Sequence, residues 1–553
     1  MVVQQGCQAW AEAGQPPLRV QHSSTAVLSQ HNQTLVFYPF FKDMQRPCHL
    51  TSYNNDDLGI LSGSGQTYQY ATIDRHLREL THLRLSGPLG CALARRYWQQ
   101  WYQSGEWAHQ HVFYLDAHEK VLWTSKPGPV GFVSACHEVR ACLKQFYIHG
   151  RGQHVLYCET QPCDVHLSER LLAIIADFEA AIGHSAVHVI VVDREGLSVD
   201  VIMSLQTAQK AIVTMLRANQ YTGESDFKRR SAFLKLKDHR TDEVTHRVAD
   251  ADFRLTDELT IRCGLVYPSD QPGRLIVVVT TVSRQQVPDI RTPVTWYLDR
   301  WEVQENSFRA LEAFIQIHLN FGLNAKRQVP DRRVAGQIAE LTQHLRAVEH
   351  KIERKQAQQT EEQRLIDDLI ARYDQNLASV YRRLANPRRR VGQDGQRQAE
   401  LDDCRQRYHA RLAKHLAQQH QLEAAIEQHQ AERTRVLAQL ADLDPQAMFF
   451  EVDAEKDQIM THLRIAAYNS ALLAREKYFG PAYRHARPLT LWRLFFSQDG
   501  YYRESDDCLL ITLKPFRDPQ LHQAAREACQ RFNAHEIQLR SGKRLKMTVG
   551  ECK

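Results

Sequence analysis

Two aspartates in this chain stand directly behind short apolar runs. Asp116 follows Val112 to Leu115, and Asp193 follows Val187 to Val192. Read as strands, both runs bring a carboxylate to the point where a strand leaves its sheet. For either aspartate alone, a strand-end cap or a turn is the ordinary role. The pair is what points to chemistry. The run Val189-Ile190-Val191-Val192-Asp193-Arg194-Glu195-Gly196 is the more specific half, an acid at the edge of a buried strand followed by further charges and a turn glycine. Cleavage or transfer of phosphodiesters by two Mg²⁺ ions needs hard oxygen ligands, so that one metal activates the attacking oxygen and the other stabilises the leaving oxygen. Carboxylates at strand ends are suited to this. A third ligand must come from elsewhere, and the stretch from Arg300 to Glu312 offers Glu302, Glu305 and Glu312. At the α-helical period Glu305 lies about 70° from the centre of the apolar stripe and Glu302 about 130° away. Glu305 is therefore expected to border the sheet and Glu302 to face solvent. Glu312, also near the stripe, is the alternative third ligand or a partner for Arg309.

The elements that must position these acids follow from periodicity. From His111 the texture is α/β. Val112 to Leu115, Lys120 to Trp123, His154 to Cys158 and Val187 to Val192 read as strands, and Leu167 to Ile182 carries Leu171, Leu172, Ile175 and Phe178 at helical spacing. A strand-rich insertion is expected at about 197–290, including Thr260 to Val266 and Arg274 to Thr281. A helix Trp301 to Leu319 follows, with Trp301, Phe308, Leu311, Ile315 and Leu319 on one stripe. These elements make a core over 106–325. Ahead of it, residues 1–105 form an accessory domain, where Ile73 to Leu83 and Leu89 to Trp101 read as two helices separated by Ser86, Gly87 and Pro88. That outline resembles a DNA-binding helix-turn-helix, but two helices about a turn are more often an ordinary packing unit.

Beyond Pro330, Ile338, Leu341, Leu345, Val348 and Ile352 alternate spacings of three and four, the seam of a coiled coil. A second run from about Ala399 to Leu443 carries Leu401, Cys404, Tyr408, Leu412, Leu416, Leu422 and Ile426. Asn386-Pro387 through Gly392 and Gly395 break the two, so 326–447 reads as an antiparallel helical hairpin. Its tip concentrates Arg382, Arg383, Arg388, Arg389, Arg390 and Arg397 against the single acid Asp394, a local positive field for phosphates. Residues 448–553 return to a small α+β region, with helices at Asp457 to Tyr478 and Asp518 to Phe532 and a strand at Cys508 to Leu513.

A chain of 553 residues exceeds what one hydrophobic core fills, so several units are expected. No apolar run is long enough to span a bilayer, and Met1 to Pro16 lacks the basic stretch and apolar block of a secretory signal. A cytoplasmic location with no membrane contact is the expectation. Twelve cysteines without a regular framework fit reduced, mostly core-packing thiols; Cys158, Cys163 and His166 lack the paired C-x-x-C of a zinc site. The net charge of +6 does not by itself establish nucleic-acid binding. The chain has no phosphate loop, so ATP is not expected as a partner, and His109-Gln110-His111 does not match a paired-histidine nicking site.

The motifs together resemble insertion-sequence transposases of the DDE type. Tyr114-Leu115-Asp116-Ala117-His118-Glu119-Lys120 is similar to their first-acid segment, and Val192-Asp193-Arg194-Glu195-Gly196 to their second. Trp301 with Gln304-Glu305-Asn306 and Phe308-Arg309 is similar to the helix carrying the third acid, although this chain has one residue more than the family pattern between Arg300 and Glu305. The likeness continues through Asn320-Phe321-Gly322-Leu323-Asn324, the helical hairpin and Ile465-Ala466-Ala467-Tyr468-Asn469. The resemblance implies an RNase H-like mixed sheet interrupted by the β-rich insertion. It implies that water attacks a phosphodiester at an element end and that the freed 3′-hydroxyl then attacks target DNA. Asp116, Asp193 and Glu305 would hold two Mg²⁺ (or Mn²⁺) ions, while His118, Arg300 and Arg309 would contact phosphate. Double-stranded DNA, at element ends and target, becomes the expected partner, with a homo-oligomer assembled on it in the nucleoid. A catalytically inactive DNA-binding or coiled-coil descendant, and a nuclease of the same fold, are the competing readings.

Overall fold

The computed structural model describes residues 47–52, 69–103, 107–108, 111–122, 129–133, 136–194, 197–238, 241–321, 324–384, 394–484, 486–539 and 541–551. The chain divides into two units, Met1–Lys326 with Glu451–Lys553, and Arg327–Phe450. In the first unit, helix α1 (Tyr70–His82) is followed by α2 (Ser86–Tyr97), which continues as a π-helical turn to Gln103. Ser86-Gly87-Pro88, expected to lie between the helices, is instead the first turn of α2, and the reversal falls at residues 83–85. A proline in a first turn forfeits no helical hydrogen bond. The Ser86 amide and hydroxyl both donate to the Glu455 carboxylate. Ile73, Leu77, Leu93 and Ala94 of these helices are buried in the same core as the sheet.

Strands β1 (Val112–Val121), β2 (Val130–Val133), β3 (Glu138–His149) and β4 (Val155–Pro162) come next. β1 is one ten-residue strand where two short ones were expected, because all eight residues Tyr114 to Val121 pair with β3. Helix α3 (Leu167–Ile182), β5 (Val189–Val192), α4 (Val199–Thr207) and β6 (Ala211–Met215) follow. The strands lie in the order β4-β3-β1-β5-β6, with β3 antiparallel to both β1 and β4, while β5 runs parallel to both β1 and β6. The strand-rich segment begins later than about 197. Val201, Ile202 and Leu205 bury one face of a helix whose cap, the Ser198 hydroxyl, accepts from the Val201 amide. The segment comprises β7 (Phe227–Lys228), β8 (Leu234–Lys237), β9 (Val244–Arg254), β10 (Thr260–Pro268) and β11 (Ile276–Thr280). Through β11, antiparallel to β6, it extends the same sheet to eleven strands.

Helix α5 (Arg291–Arg300) then crosses one sheet face, packing Val294 and Tyr297 against Tyr114, Val189 and Val191. The opposite face carries Phe113, Leu115, Ile190 and Val192 against α3. After α5 the chain forms a π-helical turn (Trp301–Glu305), the short α6 (Asn306–Ala310) and a second π-helical turn (Leu311–Ile315). These π turns widen the period and shift the stripe. Trp301, expected to be buried, is 56% exposed, whereas Val303 and Gln304 are buried.

The chain leaves this unit within β12 (Asn324–Pro330), forms α7 (Arg332–Leu384) and α8 (Asp394–Ala441), and returns within β13 (Met448–Asp453). In the second unit α7 and α8 pack antiparallel, with Val348, Ile352, Leu422, Ile426 and Val436 buried along the seam. Cross-helix pairs such as Arg433 with Glu349 and Gln359 with Glu423 hold one register. Leu416, expected in the seam, is 40% exposed. His415 takes its place and bonds Glu362. Back in the first unit, α9 (Glu455–Tyr478) enters the main core, where Ile459, Leu463, Ala467 and Tyr468 are buried. β14 (Gly500–Glu504), β15 (Cys508–Leu513), α10 (Pro519–Asn533) and β16 (Arg544–Val549) follow, and a smaller core forms around Phe479, Phe495 and Phe516. Among the described residues no helix is long and apolar enough to cross a membrane.

Candidate active site

Strand register places the two aspartates together. Pairing of β1 with β5 ends at Leu115 opposite Val192, so the next residues, Asp116 and Asp193, are neighbours where the parallel ladder stops. Side chains alternate along a strand. Asp116 therefore shares the face of Tyr114, and Asp193 that of Val191, which is the face covered by α5. From the last turn of α5, Arg300 reaches both: its Nη1 lies 3.2 Å from Asp116 Oδ2 and its Nη2 3.8 Å from Asp193 Oδ1. The Ala117 amide donates to Asp116 Oδ1, the Arg194 amide to Asp193 Oδ1, and the Tyr297 hydroxyl to the same Asp193 oxygen at 3.5 Å.

Charge is out of balance here. Burial pushes the Asp116 carboxyl up to about 7; the Arg300 guanidinium and the Ala117 amide oppose the rise, and the negative charges of Asp193 and Glu305 add to it. Burial works against the Arg300 charge, but Asp116, Asp193, Tyr297 and Glu305 outweigh it and raise its pKa. Glu305 is thus close enough for its field to act on Asp116 and Arg300. It is half-buried and has no hydrogen-bond or ion-pair partner among the described residues. Glu312 is raised by burial and by the Glu305 charge, and its Oε1 stands 3.7 Å from His118 Nδ1. His118 stacks on Phe308 and is held neutral, its pKa pushed down to about 3 by burial, Lys120 and His318.

The structure therefore brings Asp116, Asp193 and Arg300 into contact and sets Glu305 within electrostatic range of them. Among the described residues, no three His, Cys, Asp or Glu side chains converge closely enough to hold a metal ion. The donor set nevertheless suits a divalent cation: hard carboxylate oxygens in excess of the one guanidinium that now lies between two of them. Arg309 is apart from the acids, exposed with its guanidinium 5.1 Å from the Trp301 ring centre. Arg382 and Arg383 are exposed in the last turn of α7, while Arg388, Arg389 and Arg390 lie outside the described residues. Of the ten described cysteines, all free thiols, Cys142, Cys158, Cys263 and Cys529 are buried, five are half-buried and Cys136 is exposed, so core packing holds for fewer than were expected. Tyr297 was not anticipated; its signal was the i, i+3 spacing to Arg300.

No protein-family model and no curated protein sequence matches the chain. Among solved structures it aligns with a cryo-EM structure of the piggyBac transposase synaptic complex with hairpin DNA, at 11% identity and a TM-score of 0.28. The match covers 57% of this chain and 66% of that chain, just under two thirds of its length.

Proposed function

We propose that the chain is a DNA transposase of the DDE insertion-sequence type, with an RNase H-like core that cuts DNA strands and joins them to a target. The observation that carries this reading is the pair Asp116 and Asp193 on adjacent parallel strands, sharing one guanidinium, with the Glu305 charge acting on Asp116. The mixed sheet, three antiparallel strands continued by two parallel ones and extended by antiparallel strands, agrees with an interrupted RNase H-like core. In this reading Asp116, Asp193 and Glu305 hold two Mg²⁺ or Mn²⁺ ions. The ions supply charge stabilisation at the attacking and leaving oxygens. Arg300, released from the aspartates, donates to two non-bridging oxygens of a phosphate in the bidentate manner open to a guanidinium. Neutral His118 offers a hydrogen bond rather than a charge. DNA is the substrate, and the protein acts as an oligomer on it.

The test is Asp193→Ala in the full chain, assayed on DNA carrying the element ends that flank the gene. Folding and DNA binding remain, and Mg²⁺-dependent strand cleavage disappears; undiminished cutting by the variant would refute the assignment. One observation favours a second reading. Arg300 pairs with both aspartates, as it would in a catalytically inactive DNA-binding descendant. Mn²⁺ binding by the full chain separates the two, because that descendant needs no divalent ion. Cleavage without joining would identify a nuclease of the same fold.

A further inference from the structure

We propose that the helical pair carries a cleft for the phosphodiester backbone of duplex DNA, in the half of the pair nearer its turn. The seam of α7 and α8 is closed by apolar layers at Ile366 on one side and at Val380 with Leu401 on the other. Between these layers Tyr373 and Tyr408 stack across the pair, ring centres 3.9 Å apart and planes inclined by 18°. Interdigitated leucines draw two helices together, whereas two facing rings hold the backbones apart. Beside the rings an opening of about 740 Å³ remains.

The rim decides the chemistry. Arg372 and Arg383 line it from α7, and Arg407, Arg411 and Lys414 from α8; Asp368 and Asp403 are its two carboxylates. Asp403 is taken by Arg407, and Asp368 by Arg364. Among the described residues, no carboxylate pairs with Arg372, Arg383, Arg411 or Lys414. These cations repel one another and gain from a polyanion. Arginine predominates, and its planar fork matches phosphate oxygens. Arg411 and Lys414 lie one turn apart on one face of α8, open to neighbouring phosphates, while Arg407 one turn before them is held by Asp403. Exposed Arg382 continues the positive surface toward the end of α7. The choice of DNA rests on the proposed function, whereas the cleft rests on the helical pair alone.

The experiment measures binding of the full chain to a fluorescent mixed-sequence duplex, in EDTA, as salt is raised. R372Q/R411Q/K414Q is compared with the wild type and with the charge-preserving R372K/R411K. Each lost phosphate contact removes roughly 0.9 from the slope of log affinity against log salt, so the triple variant is shallower by about 2.7. Between about 50 and about 200 mM salt the wild type then loses about forty-fold more affinity than the variant. The lysine variant keeps the wild-type slope, and equal helicity by circular dichroism accompanies all three. A triple variant with the wild-type slope, or no binding by the wild type at low salt, overturns the proposal. Asp193→Ala in a separate cleavage assay with Mg²⁺ and no EDTA separates the two ideas: cutting by that variant defeats the proposed reaction and leaves the cleft standing. An unchanged slope in the triple variant does the reverse.

Discussion

Replacing Asp116 by Asn tests the charge imbalance directly. The carboxyl moves from its ordinary 3.8 to about 7 in the folded chain. The folded state therefore holds a proton that the unfolded state releases between those values. Metal-free protein has this contribution in full below about pH 4 and loses it as pH rises through 7. A move of that size corresponds to about 4 kcal/mol as a ceiling. The side chain keeps 20% of its exposure and Arg300 lies 3.2 Å away, so a loss of about half the ceiling is the working figure. Urea unfolding in EDTA at pH 5 and pH 8 reads it. D116N exceeds the wild type by about 1 kcal/mol at pH 5, already above the unfolded value, and by about 2 kcal/mol at pH 8, because the amide never has to ionise. Added Mg²⁺ restores the wild type at pH 8 and leaves D116N unmoved, since it favours only the carboxylate. Equal stability of the two proteins at pH 8 without metal would show that Asp116 is fully neutralised by Arg300, leaving no surplus charge for a metal to relieve.

Two further outcomes concern the frame around the site. Lys120 and Asp457 form a buried ion pair at 2.7 Å, and Asp457 also accepts the Phe321 amide, so Asp457→Ala costs about 3–5 kcal/mol in urea unfolding and K120M/D457L recovers most of it. An Asp457→Ala loss below about 1 kcal/mol would mean that the pair does not lock α9 to β1. Gly150→Ala places a Cβ on the buried Tyr102 hydroxyl and lowers stability by about 1–3 kcal/mol; unchanged melting would disprove that contact.

The two aspartates were legible because each ends an apolar run, and side-chain alternation then puts both on one sheet face. Asp193 follows the end of β5 as expected, whereas Asp116 lies in the middle of β1, where only the pairing with β5 stops. Their counter-ion was legible only as a residue type: which side chain reaches both depends on how α5 lies across the sheet, and no local pattern encodes that. The third acid was placed by assuming an unbroken α-helical period, which the turns at 301–305 and 311–315 do not follow. The hairpin was legible from its heptads, with an error at Leu416 because the spacing slips there and His415 carries the seam. The burial of α9 was hidden for a different reason. Asp457, Gln458, Thr461, His462 and Asn469 are polar, yet each is buried. Several of them hydrogen-bond to strands and loops distant in sequence.

Under the proposed function, the one residue more than the family pattern between Arg300 and Glu305 bears on whether the proposed site could work. An insertion in a regular α-helix rotates everything beyond it by about 100° relative to what precedes it. A π turn absorbs one residue locally and leaves the flanking helices in phase. The turn Trp301–Glu305 falls where the surplus residue lies, so Arg300 still reaches the aspartates and Glu305 still acts on Asp116. Had the insertion rotated Glu305 out of range, burial and the Asp193 charge would still lift the Asp116 carboxyl, but the site would hold two carboxylates against one guanidinium. Three carboxylates against one guanidinium is instead a surplus of negative charge in a partly buried site. An ion pair kept for structure alone is more economically made with matched charges, whereas an imbalance of this sign is what a divalent cation relieves.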